Sequence, residues 1–114
     1  MTTPAEIAVE RRGGTLVAHL EGEIDMTNAG LVRDQVLESV PNDALALVID
    51  LSECRYLDSA GIEILFDLSR RLRRRRQQLR LVVPPSSPLI RVLELTEVGT
   101  AAPLHETVDS AIAG

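Results

Sequence analysis

The sequence predicts one α/β domain over residues 1–114, with a mixed, mostly parallel sheet of about five strands and four helices. Apolar runs of strand length alternate with segments of helical periodicity in the order β-β-α-β-α-β-α-β-α, and helical connections make the later strands parallel. A chain of 114 residues that is 45% apolar can bury a core without disulfides or a structural metal. Cys54 is the only cysteine, which excludes an intramolecular disulfide.

The first two predicted strands form a hairpin. Residues 6–10 and 15–20 are apolar-rich runs with partial alternation, and Arg11-Arg12-Gly13-Gly14 separates them. The glycine pair is expected to supply the positive φ angles that a tight turn requires.

A helix and a buried strand follow the hairpin. Thr27 or Asp25 is expected to cap the helix, and Pro41 ends it by restricting the residue before it. The unbroken apolar run over residues 44–49, bounded by Asp50, predicts a strand covered on both faces. The apolar positions that recur at helical spacing before it are Ala29, Val32, Val36 and Val40.

The second half of the chain continues the alternation. A long helix is predicted from Ser59 into an arginine-rich segment, and a buried strand over residues 79–83. Ser87 is a candidate N-cap for a short helix, residues 102–105 form a weak strand, and Thr107 is a candidate cap for the last helix.

The densest group of polar residues, 50–61, joins the buried strand to the long helix, where α/β proteins commonly place their sites. With Asp58 as the N-cap, Ser59 becomes the first helical residue and its hydroxyl is not used for capping. Gly61 lowers helix stability by up to about 1 kcal/mol relative to alanine, which favours a close approach of another backbone or a partner.

The residues of this junction resemble a known family. Leu47-Val48-Ile49-Asp50-Leu51-Ser52, followed by Leu57-Asp58-Ser59-Ala60-Gly61-Ile62, is similar to the STAS domain family, and in particular to bacterial anti-sigma factor antagonists. The segments at residues 20–25 and 93–98 resemble two further parts of that family, so that the resemblance covers nearly the whole chain.

The resemblance implies a protein switch. Such proteins bind an anti-sigma factor, usually also a serine kinase, and thereby free a sigma factor for transcription. Phosphorylation of the serine in Asp-Ser-x-Gly, which corresponds to Ser59, ends the binding, and a PP2C-type phosphatase restores it. Ala60 departs from the pattern because many relatives carry a second hydroxyl there. An alternative is a STAS regulatory subunit of a transporter, a lipid-transfer complex or another signalling assembly, without a phosphorylation switch.

Physical reasoning gives this switch a mechanism. A phosphate adds about −1.5 to −2 charge, which the N-terminus of a helix accommodates, so the fold should survive. Binding should not, because nearby acids already make the surface negative and a docked partner would face added like charge. The predicted partner-binding residues are Glu23, Asp25, Asp58, Ser59, Ala60, Gly61 and Ile62.

The charge is unevenly distributed. The chain has a net charge of −5, yet residues 70–80 contain seven arginines and no acid. The run Arg70–Arg76 could bind nucleic acid or anionic lipid, but we favour a solvated helix end whose positive charge opposes the macrodipole. Overall acidity and an aromatic content of 2% argue against a direct nucleic-acid partner.

An enzymatic role is disfavoured. Ser59 as a nucleophile would need a base, but His19 and His105 lie on predicted strands and the chain has no Gly-x-Ser-x-Gly elbow. Asp25, Asp50 and Asp58 could gather around a divalent ion, although acids at strand ends more often cap helices. We therefore predict no catalytic residues, no metal and no cofactor.

Location and assembly complete the expectations. The N-terminus has no charged and apolar signal pattern, and no apolar run approaches the roughly 20 residues of a membrane span. We expect a cytoplasmic protein, and a second copy of the chain is a further candidate partner, giving a homodimer.

Overall fold

The computed structural model describes residues 4–114, and these form one five-stranded sheet with helices on both faces. The strands are β1 (Glu6–Arg12), β2 (Thr15–Ile24), β3 (Ala46–Leu57), β4 (Gln78–Val82) and β5 (Leu104–His105).

The helices are α1 (Ala29–Ser39), α2 (Ser59–Arg74), α3 (Ile90–Leu95) and α4 (Val108–Ala113). A short 3₁₀ turn, Val98–Thr100, follows α3. In this part of the chain no helix is both long and apolar enough to cross a membrane.

The strands lie in the spatial order β1-β2-β3-β4-β5. β1 and β2 are antiparallel, and every other neighbouring pair is parallel. The predicted mixed, mostly parallel sheet and the hairpin are therefore confirmed. One detail of the hairpin is wrong: Gly13 has a φ of +61°, but Gly14 is not in the positive-φ region. Gly14 instead leaves room for Leu45, since an added Cβ would lie 3.1 Å from Leu45 Cδ1, and the Gly14 carbonyl accepts a 2.7 Å hydrogen bond from Leu45 N.

Three helices cover one face of the sheet. Helices α1, α2 and α3 pack there over the main core. The central strands contribute fully buried side chains because each is covered by helices and by its neighbours. The largest of these buried strand residues are Leu20, Ile24, Leu47, Ile49, Leu51, Leu79 and Leu81.

The opposite face is only partly covered. Ala111 of α4 packs on Val17, Val48 and Val82 in a small second cluster. The Thr107 side chain accepts a hydrogen bond from Ser110 N, so the predicted cap of this helix is confirmed.

β3 is longer than the predicted strand over residues 44–49. It continues to Leu57 because β2 keeps pairing with it through two register shifts, between His19 and Glu21 and between Gly22 and Glu23. Gly22 adopts a φ of +98°, a conformation that glycine allows at low cost. Residues 50–57, expected to be a connection, are thus largely strand. The polar junction therefore lies at the carboxyl end of β3.

Two helices begin later than their predicted caps. α1 has Asn28 at its N-cap position, without a side-chain cap, in place of Thr27 or Asp25. α3 begins at Ile90, and the Ser87 hydroxyl accepts a hydrogen bond from Leu89 N in the turn before it. The end of α1 is as predicted, since Val40, which precedes Pro41, is extended.

Candidate functional site

The candidate site lies where β2 and β3 end side by side. Ile24 and Leu57, the last residues of the two strands, are paired, and Asp58 N donates a 3.3 Å hydrogen bond to Ile24 O. The α2 helix starts one residue later, at Ser59. The β2–α1 loop and the N-terminus of α2 therefore lie next to each other.

The Asp58 carboxylate joins these two segments. One oxygen, Oδ1, accepts a 3.0 Å hydrogen bond from Gly61 N and caps α2, as predicted. The other, Oδ2, accepts a 3.0 Å hydrogen bond from Met26 N in the β2–α1 loop. One side chain thus fixes the helix start against the neighbouring loop.

The Asp25 and Asn28 side chains organise the loop itself. Asp25 Oδ1 accepts hydrogen bonds from the Thr27 hydroxyl and Thr27 N. Those two bonds, in that order, hold the pKa of Asp25 below its ordinary value, so the carboxylate is charged at neutral pH. Asn28 Oδ1 accepts from Asp25 N, and its amide nitrogen donates to Glu23 O, both at 2.9 Å.

Ser59 is exposed at the first position of α2. The cap uses Asp58, so the Ser59 hydroxyl is available to solvent and to other molecules. Ala60 beside it is partly buried.

Two of the predicted partner-binding residues support this surface from below. Gly61 is buried, and Ile62 is only 7% exposed. A Cβ added to Gly61 would lie 3.1 Å from Ile24 O and 3.0 Å from Leu57 Cδ2. The glycine is therefore explained by close approach to another backbone within the chain.

Two open grooves flank the exposed first turn of α2. One, between α1 and α2, has a volume of about 530 Å³, and its lining includes Met26, Ala60, Glu63 and Phe66. The other, between α2 and α3, has a volume of about 520 Å³ and is lined by Leu57, Asp58, Ser59, Ile62, Glu63, Phe66, Val92 and Thr96.

Sequence reasoning missed Met26 as part of this surface. Its side chain is 80% exposed, the most exposed of the large apolar side chains in residues 4–114. A large apolar residue in an otherwise polar loop is the sequence signal that was available. Tyr56 is also exposed, at 48%, whereas Leu57 is buried.

The three aspartates considered for a cation do not come together. Asp50 lies opposite His19 and Val82 in the sheet, eight residues before Asp58, which is roughly 26 Å along a strand. Among residues 4–114 no group of three or more acids, histidines and cysteines is arranged to hold a metal ion.

Each of the two histidines contacts a residue other than Ser59. His19 Nδ1 lies 2.7 Å from Asp50 Oδ2, and His105 Nδ1 lies 3.0 Å from the Ser110 hydroxyl. Neither arrangement places an imidazole as a base for the Ser59 hydroxyl.

Four of the six arginines in the run Arg70–Arg76 have contacts within the chain, while the side chains of Arg70 and Arg71 stay 60% and 46% exposed. Arg70 and Arg71 pair with Asp67 at 3.5 and 3.1 Å. Arg73 donates to Ala101 O, and Arg75 donates to Val40 O. These contacts are consistent with the run as the end of α2, where positive charge interacts favourably with the negative end of the helix dipole.

Asp58→Ala is expected to lower the free energy of unfolding by about 2 kcal/mol, because it removes an N-cap and leaves two backbone N–H groups without their acceptor. Urea unfolding measures the change. Asp58→Asn should recover only part of it, because asparagine has one carbonyl oxygen where the carboxylate uses two. Asp34→Ala, which removes only an exposed pair with Arg33, should stay within about 0.5 kcal/mol. Equal effects at Asp58 and Asp34 would contradict the assigned role of Asp58.

Acid stability is expected to depend on Asp50. Burial raises the pKa of this carboxyl, but hydrogen bonds from Ser52 and His19 outweigh it and leave the pKa below its ordinary value. Its contribution is therefore present above the unfolded-state pKa of about 3.9 and is lost as the pH falls through the lower folded-state pKa. In urea unfolding across this range, Asp50→Asn should lose less stability on acidification than the wild type. Parallel curves would contradict the prediction.

Comparisons with known proteins point to one family. The family model for the STAS domain matches residues 6–111. The anti-sigma-F factor antagonist RsfB of Mycobacterium tuberculosis is 35% identical over 66 residues, which are 58% of this chain and 54% of RsfB. The match thus spans about half the length of that relative.

Solved structures agree over a longer span. The crystal structure of an anti-sigma factor antagonist from Mycobacterium paratuberculosis has a TM-score of 0.84 and 30% identity, and the match covers 99% of this chain and 97% of that one. A Thermotoga maritima crystal structure has a TM-score of 0.79 at 19% identity, covering 94% and 92%, and shows the fold alone.

Proposed function

The chain belongs to the STAS domain family, and from that premise we propose that it is an anti-sigma factor antagonist. In this role it binds an anti-sigma factor through the surface around Ser59 and so frees a sigma factor for transcription. The names of its relatives in two mycobacteria support this function. A cytoplasmic location follows from the function.

The observation that carries the proposal is the Ser59 hydroxyl. It is exposed at the first position of α2, while Asp58 alone supplies the cap. A serine in this position can be phosphorylated without dismantling the helix start. We propose that the unmodified form binds and that phosphorylation of Ser59 ends the binding.

Charge explains how a phosphate would act. The site already holds Asp58 and the Asp25 carboxylate, and Glu63 is exposed one turn along α2. A phosphate at Ser59 adds about −1.5 to −2 charge to this surface. The N–H groups and the dipole of α2 stabilise that charge within the domain, whereas a docked partner surface meets it as repulsion and as desolvation of a dianion.

The modifying step is assigned to the partner. The Ser59 oxygen attacks the γ-phosphorus of ATP bound to an anti-sigma factor that is a serine kinase. An O–P bond forms, the bond to ADP breaks, and a base of the kinase takes the hydroxyl proton. Hydrolysis by a PP2C-type phosphatase returns the binding form. In this scheme the chain is a substrate and needs no cofactor of its own.

The test is incubation with candidate anti-sigma kinases and ATP, followed by intact mass and by complex formation on size-exclusion chromatography. The wild type should gain about 80 Da, one phosphoryl group, and lose binding in step with that gain. Ser59→Ala should bind and gain nothing, and Ser110→Ala, a matched exposed serine in the first turn of α4, should behave as the wild type.

Two outcomes would overturn parts of the proposal. Phosphorylation of Ser59→Ala, or wild-type binding that persists after full phosphorylation, would contradict the proposed switch. Failure of the unmodified chain to bind any anti-sigma factor of its own cell would remove the function itself and favour a regulatory subunit of another assembly.

A further inference from the structure

β1 is an edge strand with an open outer side in residues 4–114, since its only strand neighbour is β2. Natural edge strands are usually protected by short length, charged side chains, proline or a bulge, and of these β1 has only the charges, toward its two ends. β1 has seven residues, contains no proline and pairs with β2 in unbroken register. Six of its seven residues are exposed, and Val9 at its centre is 48% exposed.

The charges on β1 are arranged in opposite senses at its two ends. Glu6 lies at the start, and Arg12 lies at the end, where it also pairs within the chain with Glu10 at 2.8 Å and with Asp109 at 3.4 Å. A second copy placed antiparallel and centred on Val9 brings Glu6 opposite Arg12 twice, which is a favourable cross-strand pairing. A parallel copy in the same register would place like charges opposite each other at both ends.

We propose that the chain forms a symmetric dimer in which β1 pairs antiparallel with β1 of a second copy, with the two-fold axis at Val9. The pairing joins two five-stranded sheets into one of ten strands and satisfies the open backbone groups of both edges. Residues 7 and 11 and residues 8 and 10 then lie opposite each other, with Val9 opposite itself.

The size of the edge indicates how tightly the dimer associates, and its position indicates whether the dimer involves the Ser59 site. A seven-residue strand is roughly 23 Å long, and an edge of this size buries less than the roughly 800 Å² per partner of a standard interface. The dimer is therefore reversible and depends on concentration. Ser59 follows β3, two strands from the edge, so the dimer does not rest on the function proposed for that site.

Sedimentation equilibrium of charge-reversal variants tests the pairing. Glu6→Arg and Arg12→Glu each create two like-charge pairs across the axis, and each should raise the dimer Kd roughly fivefold or more. The double variant restores opposite charges and should return the Kd to within about twofold of the wild type. Glu94→Arg and Arg91→Glu, exposed on α3, make the same changes in net charge away from the edge and should have little effect.

Cysteine cross-linking tests the register. Opposite residues of paired strands lie within disulfide reach, so Val9→Cys should form a covalent dimer on oxidation with copper phenanthroline. Ala8→Cys, which faces Glu10 of the second copy, should cross-link much more slowly, and native Cys54 is only 2% exposed. A wild-type chain that sediments as a monomer at all concentrations, single variants without effect, or equal cross-linking at positions 8 and 9 would overturn the proposal.

Discussion

Ser59→Asp is expected to weaken binding to the anti-sigma factor at least tenfold while changing the free energy of unfolding by no more than about 0.5 kcal/mol. The added carboxylate lies in the first turn of α2, where the helix dipole favours negative charge by a few tenths of a kcal/mol. A partner docked on the same turn buries it beside Asp58, and taking an unpaired carboxylate out of water costs several kcal/mol. Titration calorimetry and urea unfolding measure the two quantities.

Ser110→Asp is the matched control for this variant. Ser110 is also exposed in the first turn of a helix, but α4 packs on the opposite face of the sheet from α2. It should bind as the wild type does. Equal loss of binding in the two variants would show an effect of net charge, and a large loss of stability in Ser59→Asp would show refolding in place of local repulsion.

The sequence was sufficient to predict the order of the elements and the core because both depend on local patterns. The unbroken apolar run of β3 and the helical spacing of buried residues in α1 are visible without any partner. The cap of α2 by Asp58 is equally local, since the donor, Gly61 N, is three residues away.

The errors occur where distant segments meet. β3 continues past Asp50 because it takes one extra residue at each of the two register shifts and so stays paired with β2, and no periodicity in residues 50–57 records that pairing. Asp58 also accepts from Met26 N, a residue 32 positions away, so the exposed position of Met26 beside the helix start could not be read from spacing. The predicted cap of α1 is wrong for a different and local reason, because the Thr27 hydroxyl donates to Asp25 within the loop.

Gly61→Ala is expected to lower the free energy of unfolding by about 1–2 kcal/mol, although alanine is the better helix former by up to about 1 kcal/mol. The new Cβ would lie 3.1 Å from Ile24 O and 3.0 Å from Leu57 Cδ2. The leucine methyl can move, but the carbonyl belongs to the backbone of β2 and also accepts from Asp58 N. Relief therefore requires the N-terminus of α2 to move away from the sheet. Urea unfolding gives the change, and Gly61→Val should lose about 3 kcal/mol.

Gly30→Ala shows what the same substitution does without the contact. Gly30 is exposed near the start of α1, and the nearest atom to an added Cβ there is a guanidinium nitrogen of Arg33 at 4.0 Å. This variant should be more stable than the wild type by about 0.5–1 kcal/mol, because only the conformational freedom of glycine is removed. Because Gly61→Ala is expected to lower the free energy of unfolding and Gly30→Ala to raise it, the pair distinguishes the effect of packing from that of helix propensity. A Gly61→Ala chain as stable as Gly30→Ala would mean that β2 yields freely at Ile24, and the rigid support inferred beneath Ser59 would be wrong.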